Sequence, residues 1–580
     1  MLNLYIVPCV AFSLSRHLVH AFNTESFLGP VFPIPQNLPE NPTIKTANQD
    51  FLTTITNALE AGSSIHGSFD NTSTAFSFEF YSTSTEEPLF QYHYTPPILA
   101  GVEQGVKTVD RDTIYRIGSI TKLLTVYIFL ITGGDVHFNE RVTNYIPELL
   151  VGVDEDEMSE DFVHRVAWEE VTIGSLASHM AGVGSTYGLL DISLADFPVS
   201  ELNLPPLSEG EKPTCGGSLA RPPCPEDGFA SRSPVFPTFQ TPVYSNAAFQ
   251  IFALALSRIT GKDFKTLMDE ALFKPLNLSR TSYTKPDDSL GVIPGNATTT
   301  FWNFDMGSVW PRWMKPITHT ASLHTSIGAP WEIERVVLPA SNRAIDLYTK
   351  SGKLGVYGGY MILVPDYDVG FTLLQAGPGL NTDVLAGWVV DIFLPALENA
   401  ARLQAVMDYT GEYVVQTNTQ TQTQAQTSGT NSSFTLTSDA NKPGLILTNW
   451  INNSTSFPPL LPILTPLAIG NIESATALLE LYKSGVPLID PSTIAINLYP
   501  TGLRTALADG GELVSFRAGF DIVSDAVDSS PFAHLLVPWS IADVFVYGNV
   551  GLDEFVFRLD GEGRVVGVEN GFLREVFGKV

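Results

Sequence analysis

The sequence predicts an α/β fold: a mixed domain made of an antiparallel sheet and a helical region, followed by a small, mostly antiparallel β-barrel-like domain. Three observations carry this expectation. Apolar and polar residues partly alternate over residues 75–94, and strand-like runs return over 346–374. Apolar residues recur at helical spacing in the long stretch between those runs. After Met407 the composition changes, and short strand-like runs follow one another to the end of the chain.

In chain order, Phe76, Phe78 and Phe80, then Phe90, Tyr92 and Tyr94, mark two strands joined by a turn over Ser82 to Pro88. Leu123, Tyr127, Leu130 and Ile131 lie at helical spacing before Gly133-Gly134, so a helix starts at or just before Ser119. Further helices are expected over Asn246 to Thr260 and Phe264 to Phe273, interrupted upstream by the Pro-rich segment Leu204 to Pro242. Tyr360 to Pro365 and Val369 to Leu374 read as strands around the turn Asp366-Tyr367-Asp368, and Asp383 to Met407 as one helix. A site where the sheet and the helical region meet follows from that order.

The Gln/Thr/Ser tract Gln416 to Ser433 reads as an exposed loop or hairpin tip. Strand-like runs surround it, and the last pair flanks the turn Asp560-Gly561-Glu562-Gly563. The expected division is a leader over residues 1–21, a catalytic-type domain over 45–407 and a β-domain over 408–580.

Of 580 residues, 44% are hydrophobic and 16% charged, enough for a sizeable core spread over more than one domain. Acidic residues outnumber basic ones by 61 to 32, a formal net charge of −29. That charge repels phosphate backbones and anionic membranes, which excludes nucleic acid as an expected partner. The run Asp154, Glu155, Asp156, Glu157, Glu160, Asp161 is a solvated surface, and no metal is expected because no His or Cys cluster has ligand spacing.

Leu4 to Leu14 is apolar and Val19-His20-Ala21 ends in a small residue, as at a signal-peptide cleavage site. The basic n-region is missing and Arg16 follows the apolar stretch, so a membrane anchor or a different start stays open beside secretion. The stretch is too short to span a bilayer, and no membrane contact is expected once it is removed. Cys215 and Cys224 would then be the cysteines left, and pairing them closes a short Gly/Pro-rich loop, a constraint that contributes about 2–3 kcal/mol. Asn71, Asn277, Asn296, Asn431, Asn452 and Asn453 each begin a glycosylation sequon, in keeping with a secreted protein.

Ser119-Ile120-Thr121-Lys122 is an S-x-x-K motif, and on a helix that spacing stacks both side chains on one face. A serine hydroxyl becomes a nucleophile once a base takes its proton, and a lysine serves when burial or nearby cations lower its pKa. Tyr244-Ser245-Asn246 follows at a helix start, and Lys350-Ser351-Gly352 is expected just before the strands that carry Gly358 and Gly359.

In this order the three motifs resemble those of penicillin-binding proteins and serine beta-lactamases, with tyrosine in the second motif as in class C. The likeness extends over about residues 45–400. It includes Tyr115 to Gly118, Val171 to Ile173 with His179 and Gly182, Ile259-Thr260-Gly261, Gly328 to Ile333 and Tyr348 to Gly377, and it is similar in particular to secreted fungal members. The region from Tyr409-Thr410-Gly411-Glu412-Tyr413 resembles the β-barrel that such proteins append. The resemblance implies a beta-lactamase/transpeptidase-like fold and a serine hydrolase or acyltransferase acting through an acyl-enzyme on an ester, amide or β-lactam, a small-molecule or peptide-like acyl substrate. It implies Ser119 as nucleophile and Lys122 as base. Tyr244 relays a proton to the leaving group, and Asn246 positions Lys122 and the substrate. Lys350 favours a substrate carboxylate beside Ser351 and Gly352, and the N–H groups of Ser119 and Lys353 form the oxyanion hole. No cofactor is implied.

Lys483-Ser484-Gly485 repeats the triplet after a helix-like stretch, where Gly485 suits a C-cap. His179 invites a Ser-His-Asp reading, but the chain has no G-x-S-x-G elbow, so packing is the expected role. Only Ser308 to Arg312 separate Asp305-Met306-Gly307 from Trp313-Met314-Lys315-Pro316, where relatives carry a few tens of residues. Two other readings follow: a tailoring enzyme of secondary metabolism, and a non-catalytic pseudoenzyme.

Overall fold

A computed structural model describes residues 29–150, 165–186, 207–208, 230, 233–303, 316–341, 343–415, 431–468, 471–490, 494–522, 542–547 and 550–580. The leader-like residues 1–21, Cys215, Cys224, the acidic run from Asp154 and the short segment Ser308 to Arg312 lie outside the described residues. The chain divides into two compact units, Thr46–Val336 with Ile345–Phe393, and Met1–Lys45 with Val337–Ala344 and Leu394–Val580. By its contacts, the helical stretch from Leu394 groups with the strands that follow it.

In the first unit, β1 (Ala75–Ser82), β2 (Phe90–Tyr94), β3 (Thr318–His319), β4 (Thr325–Ile327), β5 (Glu332–Val337), β6 (Ala344–Leu354), β7 (Tyr357–Val364) and β8 (Val369–Ala376) form one sheet. Its order is β2-β1-β8-β7-β6-β5-β4-β3. The expected strand pair over 75–94 is present, with Phe78 opposite Tyr92. Period-two burial on β1 turns Phe76, Phe78 and Phe80 to one face. There Phe78 meets Phe51 of α1 (Pro42–Ala61) at 4.2 Å between centroids, and Phe80 stacks on Phe371 of β8 at 4.7 Å. Full burial of each such ring is worth about 1.5–3 kcal/mol, so the aromatic face anchors the sheet.

The helical region holds a second core. It contains α2 (Thr121–Ile131), α3 (Ile173–Ala177), α4 (Asn246–Thr260) and α5 (Phe264–Met268), the last running on into a π turn, Asp269–Phe273. Val126 and Phe129 of α2 pack with Phe249 and Phe252 of α4, and Phe129 meets Phe252 edge-on at 5.1 Å. The helix expected over 383–407 is α6 (Asn381–Trp388), a π turn (Val389–Phe393) and α7 (Leu394–Tyr409) in succession. This run is long and apolar enough to cross a membrane by length and composition. Trp388, Phe393, Leu394 and Leu397 are buried in protein, so its hydrophobicity is that of a core helix.

In the second unit, β9 (Gly411–Val415), β10 (Ser433–Thr437), β11 (Leu445–Asn452), β12 (Ile494–Ala506), β13 (Glu512–Ile522), β14 (Glu554–Leu559), β15 (Val565–Asn570) and β16 (Glu575–Lys579) run in the order β10-β9-β16-β15-β14-β13-β12-β11. Pairing of β10 with β11 closes them into an eight-stranded antiparallel barrel, which removes open edges. Tyr413 stacks on Phe434 at 5.0 Å inside it and donates to the Tyr409 carbonyl at 2.7 Å. Two helices, α8 (Leu461–Ala468) and α9 (Ile472–Lys483), interrupt the strands; α8 was not expected, because a short apolar run carries no period that separates strand from helix. Gly485, past the end of α9, has φ +83°, the left-handed value a helix stop needs.

Candidate active site

Ser119 sits in a 3-10 turn, Gly118–Ile120, that leads directly into α2. Gly118 has φ +50°, and a Cβ there would lie 2.8 Å from the Lys353 nitrogen. A Cβ on Gly352 would lie 2.1 Å from the Ile117 carbonyl oxygen. Two glycines, one just before Ser119 and one from the third motif, thus let the Ser119 turn and β6 touch backbone to backbone. The third motif lies inside β6, not ahead of the strands as expected: Ser351 pairs with Tyr360, Gly352 with Gly359 and Lys353 with Gly358 of β7. A single β6–β7 ladder therefore carries the whole triplet along one side of the cleft.

Lys122, one turn along from Ser119, is 2% exposed. Its Nζ lies 3.1 Å from Ser119 Oγ and 2.8 Å from Asn246 Oδ1. Burial drives its pKa well below the ordinary lysine value, and the Lys350 charge pushes the same way, against a smaller upward pull from Glu332. A neutral Lys122 can accept the Ser119 proton across the same 3.1 Å contact.

Tyr244 Oη donates to Ser119 Oγ at 2.7 Å. Although the residue as a whole keeps 38% of its surface exposed, desolvation of the phenol raises its pKa above the ordinary tyrosine value, with the Ser119 hydrogen bond opposing the rise and Glu332 adding to it. The phenol therefore keeps its proton at neutral pH. Asn246 is the first residue of α4, and Ser245 caps that helix through a bond from the Ala248 N–H at 2.9 Å. The Ser245 N–H donates to His179 Nδ1 at 3.1 Å, which assigns the imidazole proton to Nε2. His179 is buried against Tyr244 and Phe249, each at 4.7 Å, and does not contact Ser119 among the described hydrogen bonds. It props the second motif, as packing predicts.

Lys350, 1% exposed, ion-pairs with Glu332 Oε1 and donates to the Ser351 carbonyl at 2.9 Å. The other carboxylate oxygen, Glu332 Oε2, accepts from the Ser351 N–H at 2.9 Å and from its hydroxyl at 2.8 Å. Burial lowers the Lys350 pKa while Glu332 opposes the shift. Glu332 lies within the family-like segment Gly328 to Ile333, but no local motif marks its role. Its distance in sequence from the triplet hides the fact that β5 and β6 are neighbours.

Ser119, Tyr244, Asn246, Ser351, Gly352 and Lys353 open on a cleft of about 420 Å³ that Tyr360, Gln375, Leu380, Thr382 and Asp383 also line. No local motif in the sequence marks these last five residues. Gln375 Oε1 accepts from the Thr382 N–H at 3.0 Å, holding the first turn of α6 against β8. Among the described residues no group of three or more His, Cys, Asp or Glu side chains could hold a metal. Of the sequons, Asn71 is half-buried with its amide donating to the Leu59 carbonyl at 2.6 Å, whereas Asn277, Asn296, Asn431 and Asn453 are exposed and Asn452 is half-buried.

Residues 91–290 match the family model described as Beta-lactamase, and residues 401–580 match that described as Beta-lactamase-like-like, C-terminal domain. A beta-lactamase-like protein of Arthroderma benhamiae is 27% identical over 603 residues, covering 94% of each chain. A probable hydrolase, M10, of a Phoma species is 28% identical over 432 residues, 67% of each chain. Among solved structures, the penicillin-binding protein homologue from Pyrococcus abyssi aligns with 92% of this chain and 100% of its own at 12% identity and a TM-score of 0.39. The three motifs meet around one serine, and the two matched segments describe the same kind of protein: residues 91–290 carry a beta-lactamase domain and residues 401–580 the C-terminal domain of beta-lactamase-like proteins.

Proposed function

We propose that the chain is a serine hydrolase in which Ser119 forms an acyl-enzyme on an ester or amide. One observation carries this reading: Ser119 Oγ is contacted at once by a buried lysine at 3.1 Å and a protonated tyrosine at 2.7 Å. Ser119 Oγ attacks the acyl carbon and its proton passes to Lys122 Nζ, within the reach that general-base catalysis requires. The tetrahedral oxyanion is received by the N–H groups of Ser119 and Lys353, whose backbones Gly118 and Gly352 bring together. When the bond to the leaving oxygen or nitrogen breaks, that atom takes the Tyr244 proton, and Tyr244 regains one from the lysine that holds the serine's. Water then attacks the acyl-enzyme, and the reverse transfers restore Ser119.

Incubation with a fluorophosphonate and peptide mapping test this reading. The adduct is expected on Ser119, and Ser119→Ala is expected to lose it and to cut ester turnover by several powers of ten while the melting temperature holds. An adduct that persists in Ser119→Ala, or sits on Ser245, would remove Ser119 from the role.

The apolar leader-like segment, the sequons and the cysteine pair support secretion as part of the same proposal. Non-reducing peptide mapping of the protein from culture medium is expected to show Cys215 joined to Cys224 and glycan at exposed sequons such as Asn277. Free thiols at both cysteines would count against an oxidising compartment.

A further inference from the structure

We infer that Glu332 acts as a built-in substitute for a substrate carboxylate, so that the site selects uncharged acyl substrates and disfavours those that carry a carboxylate near the acyl group. The inference rests on Ser119 being the nucleophile and adds the substrate class.

A cleft that captures a carboxylate needs a cation and a hydroxyl donor facing it. The third motif supplies both kinds of group, Lys350 and Ser351, but each is already engaged. Lys350 is almost wholly buried and paired with Glu332 Oε1. The Ser351 hydroxyl and N–H both donate to Glu332 Oε2. One internal carboxylate thus uses both of its oxygens on the groups an incoming carboxylate would seek. A second carboxylate entering beside Ser351 would displace Glu332 from three bonds, or lie against it and meet like-charge repulsion. Asp383, also on the cleft lining, adds a further acid, and after burial itself it raises the pKa of the neighbouring Tyr360. Lys353 is the cation on the cleft lining, and it stands exposed to solvent, where screening weakens its pull on an anion. An uncharged acyl chain meets none of these costs.

The test uses two p-nitrophenyl esters of equal acyl length, the butyrate and the hemisuccinate, with active sites counted by fluorophosphonate titration. The full-length protein is expected to favour the butyrate in kcat/KM by at least tenfold after correction for spontaneous hydrolysis, and rising salt is expected to narrow that gap. Glu332→Gln is expected to move the ratio at least tenfold toward the hemisuccinate, mainly through KM, and Glu332→Asp is expected to restore the wild-type preference. A wild-type ratio near one with normal Ser119 labelling would overturn this inference alone; absence of the Ser119 adduct would overturn the nucleophile and this inference with it. If Glu332→Gln does not fold, the wild-type ratio and its salt dependence still decide: a preference for the hemisuccinate, or a gap indifferent to salt, refutes the role of Glu332.

Discussion

Replacing Gly352 with alanine adds one methyl group to β6, at a position whose backbone has no left-handed strain to complicate the result. The new Cβ would stand 2.1 Å from the Ile117 oxygen and 2.9 Å from the Ile120 nitrogen. The first distance is about 1 Å short of the closest approach that such atoms make, so the strand and the Ser119 turn must part by about that amount. Neither neighbour is a flexible side-chain end; both are backbone, and the turn is the one that holds Ser119. Overpacking of this kind costs about 1–3 kcal/mol in stability. A displacement of about 1 Å at a reacting group costs on the order of 10²-fold in rate. We expect Gly352→Ala to fold, to melt a few degrees lower, and to lose about 10²-fold in both fluorophosphonate labelling rate and kcat/KM for a neutral ester. Labelling within twofold of wild type at an unchanged melting temperature would refute the argument that close backbone contact between β6 and the turn sets the position of Ser119.

Lys350→Met should move the acid limb of the kcat/KM profile toward higher pH. It removes the cation that helps lower the Lys122 pKa and frees Glu332, which raises it, so Lys122 holds its proton to a higher pH and the active neutral form appears later; a limb that stays in place or moves down would contradict the coupling. The alkaline limb should lie above the ordinary tyrosine range in the wild type, because Tyr244 is held protonated by burial, and the same pH series reads it. In the barrel, Tyr413→Ala removes a ring stacked on Phe434 and a buried hydroxyl bonded to the Tyr409 carbonyl, a loss of about 3–5 kcal/mol. Urea unfolding should show an early transition, and wild-type resistance would mean that this ring does not anchor the barrel.

The three motifs were legible because their spacing is local: Ser119 and Lys122 share one helical turn, Tyr244 and Asn246 one helix start, and Lys350 to Lys353 one strand. Helix α4, the β7–β8 hairpin and the strand pair β1–β2 were legible for the same reason, since period 3.6 and period 2 belong to a single segment. The grouping of α7 with the strands after it was not, because α6, a π turn and α7 read as one unbroken apolar helix and only packing divides them.

By itself the sequence determined the chemistry available, a serine with a lysine one turn away and a tyrosine from another segment, and the kind of fold that joins them. Only the tertiary structure decided how that chemistry is biased. Sheet order lays β5 beside β6 and brings Glu332 onto Lys350 and Ser351, and burial lowers Lys122 while raising Tyr244. Charge pairing and desolvation depend on distances between segments far apart in the chain, and no local pattern of residues records them.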